Sequence, residues 1–337
     1  VLYPRGSALG GSTAVNAMVT VLAPRSDWNR LAELTGEPGF RASAMDAYVD
    51  RVRGWLGVEL ANPRLAAGDR RVTGFLGAAA MTFAQAEGFS ADEATRTAAS
   101  VGTLLDRDVN EALRTGEANG VYRLPLATKS GHRNGPREWV LETVREGFPL
   151  TVKTSAFVTR VVWDERAGVP TAKGVEYVEA ESVYGASLAQ AQAPDARAIA
   201  EAGEVILSAG AFNTPELLQL SGVGDEETLR AQGIDPKVVL PGVGQNLQDR
   251  YEAAVVSELD APLDVVASCN LGSDSDPCLD DWTKGRGVYQ TPGFLGAVLT
   301  RSSADVTSAD LQIFAAPTDA RGYFPGYSQV SAKAKNR

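Results

Sequence analysis

Tyr3-Pro4-Arg5-Gly6-Ser7-Ala8-Leu9-Gly10-Gly11-Ser12-Thr13-Ala14-Val15-Asn16 and, much later, Ala209-Gly210-Ala211-Phe212-Asn213-Thr214-Pro215-Glu216-Leu217-Leu218-Gln219-Leu220-Ser221-Gly222-Val223-Gly224 are the stretches that decide the fold. In the first, the adjacent Gly10 and Gly11 remove side chains where the backbone has to pass close to something flat or charged. Ser12 and Thr13 then offer hydroxyls and amides at a would-be helix N-terminus, which is a natural anion site. Ahead of the second, Glu204-Val205-Ile206-Leu207 reads as a buried strand entering the small-residue turn Ser208-Ala209-Gly210-Ala211. Thr214 as cap and Pro215 as first helical residue then begin a helix that carries Leu217, Leu218 and Leu220 and stops at Gly222. A strand, a tight turn and a helix in that order let backbone approach a cofactor at the carboxyl end of the strand. A Gly-Gly-Ser turn by itself is weak evidence, since most such turns are only turns.

Outward from these blocks, the first half of the chain has helical patterning. Ser26 is placed to cap a helix running to Leu34 that Gly36 stops, and Ser43 to cap another running to about Arg53. Further helices are predicted over residues 71–87, 92–105 and 137–145. From Leu150 the character changes. Val152 and residues 156–163, 172–178 and 204–207 read as strands rich in Val, Thr and Ile. Residues 180–197, rich in Ala and Gln, read as an irregular hairpin insertion, and residues 238–240 as a short strand running into the Pro241-Gly242 turn. A second sheet is predicted to begin over residues 253–259 and to continue over 311–315. Helices early and strands late predict a mixed α/β architecture in which segments of one domain interrupt another.

The 337 residues are enough for one large domain or two interleaved ones with ample core, and 44% hydrophobic with 22% charged residues is an ordinary globular composition. A formal net charge of −10 argues against a nucleic-acid partner or an anionic membrane surface, both of which need basic patches. No run of about 18 or more uninterrupted apolar residues occurs, so no membrane-spanning helix is predicted. The compartment is left open. Cys269 and Cys278 flank a short loop rich in Gly, Ser and Asp, and form either a disulfide in an oxidising compartment or two unpaired thiols. No metal site is predicted, because two cysteines and the single His132 cannot supply four soft ligands at a recognised spacing. Asp274, Asp276, Asp280 and Asp281 do not fit a calcium loop and read as solvated turn residues.

Taken together and in this order, the two glycine-rich blocks resemble the hallmark motifs of the glucose–methanol–choline (GMC) flavoprotein oxidoreductases. The likeness continues in Thr154-Ser155-Ala156-Phe157-Val158-Thr159-Arg160-Val161 and in Leu240-Pro241-Gly242-Val243-Gly244-Gln245-Asn246-Leu247-Gln248-Asp249. It reaches Phe324-Pro325-Gly326-Tyr327-Ser328, so that it spans almost the whole chain. The resemblance implies FAD as cofactor. Carried over position by position, Gly10, Gly11, Ser12, Asn16 and Ala17 would approach the isoalloxazine and ribityl region, with Val19 as a further contact. Val158 would hold the adenine through its backbone, and Ala209 and Gly210 would bring the second turn close to the cofactor. Relatives often carry Gly where this chain has Ala17, and His where it has Arg250. Asp27 and Trp28 match an Asp and Trp that follow the first motif in the family, although Trp28 also reads as a helix-packing residue.

The fold that the resemblance implies is an FAD-binding Rossmann-like domain interleaved with a substrate-binding domain built on an antiparallel sheet with helices. Residues 1–25 and 150–250 would belong to the first, residues 26–149 would form a helical lid and substrate-domain segment, and residues 251–337 would begin the substrate-binding domain. The Rossmann-like domain is expected to be incomplete in this chain. Its Gly-x-Gly-x-x-Gly unit is expected before Val1 and the catalytic histidine beyond Arg337, so no catalytic residue is expected here and His132 reads as a loop or structural residue. The implied activity is oxidation of an alcohol CH–OH group to a carbonyl by hydride transfer to flavin N5, in the manner of choline dehydrogenase and its relatives. The small-molecule alcohol is unspecified, and the electron acceptor is oxygen or another molecule. A lyase on the same fold, resembling hydroxynitrile lyases, and a catalytically incompetent truncated chain are the alternatives. Trp282, Tyr289, Phe294, Phe314 and Asp280 suit a quaternary ammonium substrate and equally suit core packing.

Overall fold

In the computed structural model, which describes residues 2–62, 65, 68–100, 102, 106–116, 118–166, 168–187, 189–293 and 296–333, helix Arg70–Ala86 buries Val72, Leu76, Ala80 and Ala84. One small or branched apolar residue every fourth position puts all four on one face. Part of that face meets a three-stranded antiparallel sheet, Leu311–Ala315, Gly296–Thr300 and Gly120–Tyr122 in spatial order. Strand alternation then divides the core. Val121 and Val298 pack with Val72, Leu76 and Leu263, whereas Tyr122, Ala297 and Leu299 pack with Val109 and Ala112 of helix Val109–Thr115. The sheet is thus covered by a helix on each face, which its period of two allows.

These elements lie in the larger of two compact units, Val1–Phe148 with Ala254–Arg337; the other is Pro149–Ala253. Residues 2–25 pack with the larger unit. A second antiparallel sheet of that unit runs Val58–Leu60, Pro125–Lys129, His132–Arg133. Asp69, 1% exposed, ties early and late segments together: its carboxylate accepts from Arg71 N and Val72 N as the cap of helix Arg70–Ala86, and from Val265 N at 3.1 Å. Burial alone would raise the Asp69 pKa, but the amides of Val265, Val72, Arg71 and Asp264 outweigh it and hold the carboxyl below its ordinary value.

In the smaller unit, strands Ala156–Arg166, Val169–Glu179 and Ala198–Glu201 form an antiparallel sheet. Gly174 is required by close approach, since a Cβ there would meet Ala200 O at 2.1 Å. Helix Gly210–Leu220 lies against the first strand. The join is made at buried Ser221, whose hydroxyl accepts from Val161 N at 2.8 Å and whose carbonyl accepts from Trp163 Nε1 at 2.6 Å. The two-residue strands Val223–Gly224 and Val238–Val239 pair in parallel.

Several expectations are corrected. The helix expected from Ser26 is Arg25–Thr35 with extended Pro24 as its cap, and Gly36 ends it in the left-handed region as foreseen. The helix expected from Ser43 is Ala42–Leu56, and its first amide, Ala42 N, is taken by Asn29 Oδ1 of the preceding helix, a tertiary bond that no local pattern announces. Helix Ala91–Ala99 starts on a Ser90–Glu93 capping box, and much of the remainder of the predicted 92–105 helix falls outside the described residues. Residues 204–207 and 253–259 form no strand. Ile206 is 80% exposed, and an extended segment becomes a strand only through ladder bonds to a neighbour. Helix Gly210–Leu220 begins before Thr214, so Thr214 and Pro215 lie inside it and Thr214 is not its cap; the Thr214 hydroxyl instead accepts from Ala209 N just ahead of the first turn.

The Cys269–Cys278 pair is a disulfide. Asp276, expected in solvent, is 5% exposed: its carboxylate accepts from Asn270 N, Cys278 N and the Tyr289 hydroxyl, the last at 2.7 Å. Burial would raise its pKa, and those donors win and lower it.

Two stability measurements follow from these contacts. Asp69→Ala leaves the Val265 amide and a helix start unpaired, and is expected to destabilise the protein by about 2–3 kcal/mol in urea unfolding near neutral pH. Because the folded pKa of Asp69 is depressed, its contribution is present above the unfolded pKa and vanishes as pH falls through the folded one, so the gap between variant and wild type should close in acid. A gap that persists unchanged in acid would rule out the carboxylate as its source. Replacing both Cys269 and Cys278 by Ser should remove about 2–3 kcal/mol, the chain-entropy value for so short a loop, and a thermal midpoint unchanged by the double substitution would refute it.

Candidate functional site

The backbone of the first glycine-rich block turns sharply at Gly10, whose φ of +89° is open to glycine and strained for other residues, and enters a 3-10 turn over Gly11–Ala14. One side of this turn is closed. A Cβ on Gly10 would meet Arg137 Cβ at 2.9 Å, and one on Gly6 would meet Gly11 O at 2.8 Å. The other side is open, since a Cβ on Gly11 would have nothing within 4 Å. Local bonds set the shape: the Ser12 hydroxyl accepts from Gly6 N, Thr13 Oγ1 donates to Gly10 O, and Asn16 Oδ1 accepts from Met18 N. Ser12, Asn16 and Ala17 are exposed, and Gly10, Gly11 and Val19 are half-buried.

Two long-range anchors hold the turn. The Arg133 guanidinium donates to Thr13 O at 2.9 Å, to Asn16 Oδ1 at 2.7 Å and to Asn16 O at 2.8 Å. Burial pulls its pKa down, countered in part by Glu138. Just beyond the turn, Met18 O accepts from Ala127 N and Thr20 N donates to Pro125 O, so residues 18–20 lie along the Pro125–Lys129 strand, where Val19 bridges to Leu126. Asn110, 2% exposed, fixes the exit: it accepts from Leu22 N at 2.8 Å and donates to Thr20 O at 2.9 Å.

The hairpin that presents Arg133 is itself braced. Glu59 accepts from Thr128, Ser130 N and Gly131 N; burial would raise its pKa, and these donors outweigh that and lower it. Asn134 donates to Trp55 O and Leu56 O. Helix Pro136–Arg145 follows at once and sets Trp139 against Trp55, ring centres 4.4 Å apart. His132, next to Arg133, is exposed and meets the Trp282 ring edge-on at 4.9 Å.

The second block lies in the smaller unit. Ala209 and Gly210 are exposed at the start of helix Gly210–Leu220, with Gly210 at φ +90°. Val158 stands where the ladder to Val169–Glu179 slips: pairing runs Val158 with Tyr177 and resumes at Arg160 with Glu176. The intervening Thr159 turns its hydroxyl to Glu176 Oε1 at 2.8 Å. Such a bulge frees backbone polar groups from the ladder. In the third block, Gly244 has φ +79°, and the neighbouring Val243 O accepts from Gln219 Nε2.

Three of the residues suited to a quaternary ammonium group, Tyr289, Trp282 and Asp280, have other partners. Tyr289 is bonded to Asp276, Trp282 packs on His132, and Asp280 pairs with Lys284. Phe314 sits on the strand Leu311–Ala315, and Phe294 lies outside the described residues. Arg133, Glu59 and Asn110 brace the candidate site, and sequence patterning did not single them out. Arg133 stands in the basic, turn-rich stretch Lys129-Ser130-Gly131-His132-Arg133-Asn134-Gly135, where a basic residue is ordinary, and Asn110 has no local signal, because its partners are far away in sequence. No three His, Cys, Asp or Glu side chains converge to hold a metal ion among the described residues, and no helix among them is long and apolar enough to cross a membrane.

With this geometry in place, comparison with known proteins is informative. The family profile described as GMC oxidoreductase matches residues 1–252. The "Oxygen-dependent choline dehydrogenase" of Staphylococcus haemolyticus (strain JCSC1435) is 27% identical over 330 residues, covering 95% of this chain and 51% of that protein. Its counterpart in Staphylococcus aureus (strain JH9) is 40% identical over 122 residues, 36% of this chain and 18% of that protein. The chain thus spans about half the length, or less, of these curated relatives. A solved formate oxidase of Aspergillus oryzae RIB40 superposes over 88% of this chain and 48% of its own with a TM-score of 0.60 at 21% identity, which shows a shared fold.

Substitution of the two glycines separates the closed from the open side of the turn. Gly10→Ala must move Arg137 as well as strain the backbone and should cost about 1–3 kcal/mol, whereas Gly11→Ala meets only the backbone cost of about 1 kcal/mol. Urea unfolding of the two variants checks this, and equal losses would contradict the closed side at Gly10.

Proposed function

The chain belongs to the GMC oxidoreductase family, and from that premise we propose that the protein is an FAD-dependent oxidoreductase that oxidises the CH–OH group of a small-molecule alcohol to a carbonyl. The observation that carries the reading is the first glycine-rich turn. It is locked on one side by Arg137 and Arg133 and clear on the other at Gly11, as close approach by a flat ring requires. Gly10, Gly11, Ser12, Asn16 and Ala17 would lie against the isoalloxazine and ribityl part of FAD, with Val19 behind them. The ladder slip at Val158 suits a backbone contact to the adenine. Ala209 and Gly210 are exposed at the start of an 11-residue helix, where an anionic part of the cofactor is favoured.

When bound, FAD supplies the hydride acceptor. The residues of this chain bind and orient. Glycine backbone lets the ring come near, the Ser12 hydroxyl and Asn16 carboxamide are exposed beside it, and Arg133 keeps the turn in shape. Residues 1–25 and 150–250 serve the cofactor on this proposal, and residues 26–149 and 251–337 serve the substrate. The curated relatives are named for choline and for oxygen dependence; for this protein the donor is an alcohol and the acceptor oxygen or another oxidant.

The visible spectrum of the full-length gene product tests this, recorded before and after anaerobic addition of a panel of alcohols. A flavin spectrum that one alcohol class bleaches is the expected result. Bound flavin that no alcohol bleaches would overturn the oxidoreductase activity, and protein without flavin would overturn the cofactor.

A further inference from the structure

We propose that Arg133 is a positioning residue: it occupies the acceptor of the Asn16 carboxamide and so presents that side chain to the bound ligand as a fixed hydrogen-bond donor. The inference rests on the flavin reading above and adds to it the polarity that the turn imposes on its ligand.

The Asn16 carboxamide can point either way in isolation, and its neighbours decide. Arg133 Nη1 reaches Asn16 Oδ1 at 2.7 Å and Met18 N reaches the same oxygen at 3.1 Å. Both neighbours are donors only. The flipped amide would set its NH2 against a guanidinium and a backbone N–H, with no acceptor for any of them. Oδ1 therefore faces inward, and Nδ2 is left with its hydrogens toward the exposed side of the turn, without a partner among the described residues. Two features keep Arg133 from moving aside. It also grips Thr13 O and Asn16 O, and a planar guanidinium makes these bonds together where an ammonium cannot. It also has no carboxylate within ion-pair distance among the described residues, Glu138 acting on it only from farther off, so these oxygens are its direct partners. The ligand group opposite Asn16 must then be an acceptor, such as a ring carbonyl or an imine-type nitrogen of the flavin.

Asn16→Asp separates this role from a purely structural one. A carboxylate still accepts from Arg133 and Met18 N, so the thermal midpoint of the flavin-stripped full-length protein should not fall, yet it offers the ligand an acceptor in place of a donor. Flavin affinity, read from the visible absorbance of the full-length gene product against protein content during dialysis, should drop about tenfold or more. Arg133→Lys, which keeps the charge and loses the fork, should also weaken flavin binding and alter the visible circular dichroism of the bound flavin. Asn16→Asp with wild-type flavin affinity would overturn the donor role, and a lowered midpoint of that variant in its flavin-stripped form would overturn the bond pattern. Arg133→Lys indistinguishable from wild type in affinity and dichroism would overturn the positioning role. Wild-type protein without flavin would instead overturn the reading on which the inference rests.

Discussion

The site depends on one constraint: a half-buried guanidinium whose bonding partners are all oxygens of a single turn. Arg133 makes no ion pair among the described residues, so the partial charges of Thr13 O, Asn16 O and Asn16 Oδ1, with a more distant contribution from Glu138, offset its removal from water. Such bonds are directional. They restrict the turn to the shape in which three acceptors converge, and that shape leaves Gly11 unobstructed. An ion pair to a flexible acidic side chain would have neutralised the same charge with much less control over the backbone.

Support for Arg133 comes in layers from the same unit. Glu59 fixes the hairpin by accepting two of its backbone amides and a threonine hydroxyl. Asn110 fixes the segment that leaves the turn, through one acceptor and one donor contact. Asn134 and the Trp55–Trp139 contact fasten the following helix. These are buried or half-buried polar groups with good partners, the arrangement that specifies one conformation because each alternative leaves a group unsatisfied. The disulfide and the Asp276–Tyr289 bond do the same for the loop whose helix carries Trp282 to His132.

In the smaller unit the local devices differ. Helix Gly210–Leu220 is fastened to the sheet by Ser221, which uses hydroxyl and carbonyl at once. Ala209 and Gly210 at its start are exposed, and the Ala209 amide is taken by the Thr214 hydroxyl from within the helix. Pro215, expected to mark the start, is accommodated inside the helix at the loss of one backbone bond. Two-residue strands at Val223 and Val238 complete the motif; a Cβ at Gly222 would meet Asp235 O at 2.6 Å, so the glycine there answers to a close approach.

By itself the sequence determined the elements whose causes are local, and the family. Residues every fourth position gave helix Arg70–Ala86, Val/Thr/Ile runs gave the strands near residues 156 and 172, and glycine marked the ends at Gly36 and Gly222. The glycine blocks identified the cofactor family because close backbone approach demands glycine wherever the chain folds. Tertiary structure alone decided what depends on partners distant in sequence. Asn29 displaced Ser43 as the helix cap, residues 204–207 found no ladder, and Asp276 left solvent for three hydrogen-bond donors. Above all it decided the role of Arg133: a basic residue in a turn is ordinary until folding sets it against Thr13 and Asn16. Hydrogen-bond geometry is a property of space, and sequence order carries it only where the partners are neighbours in the chain.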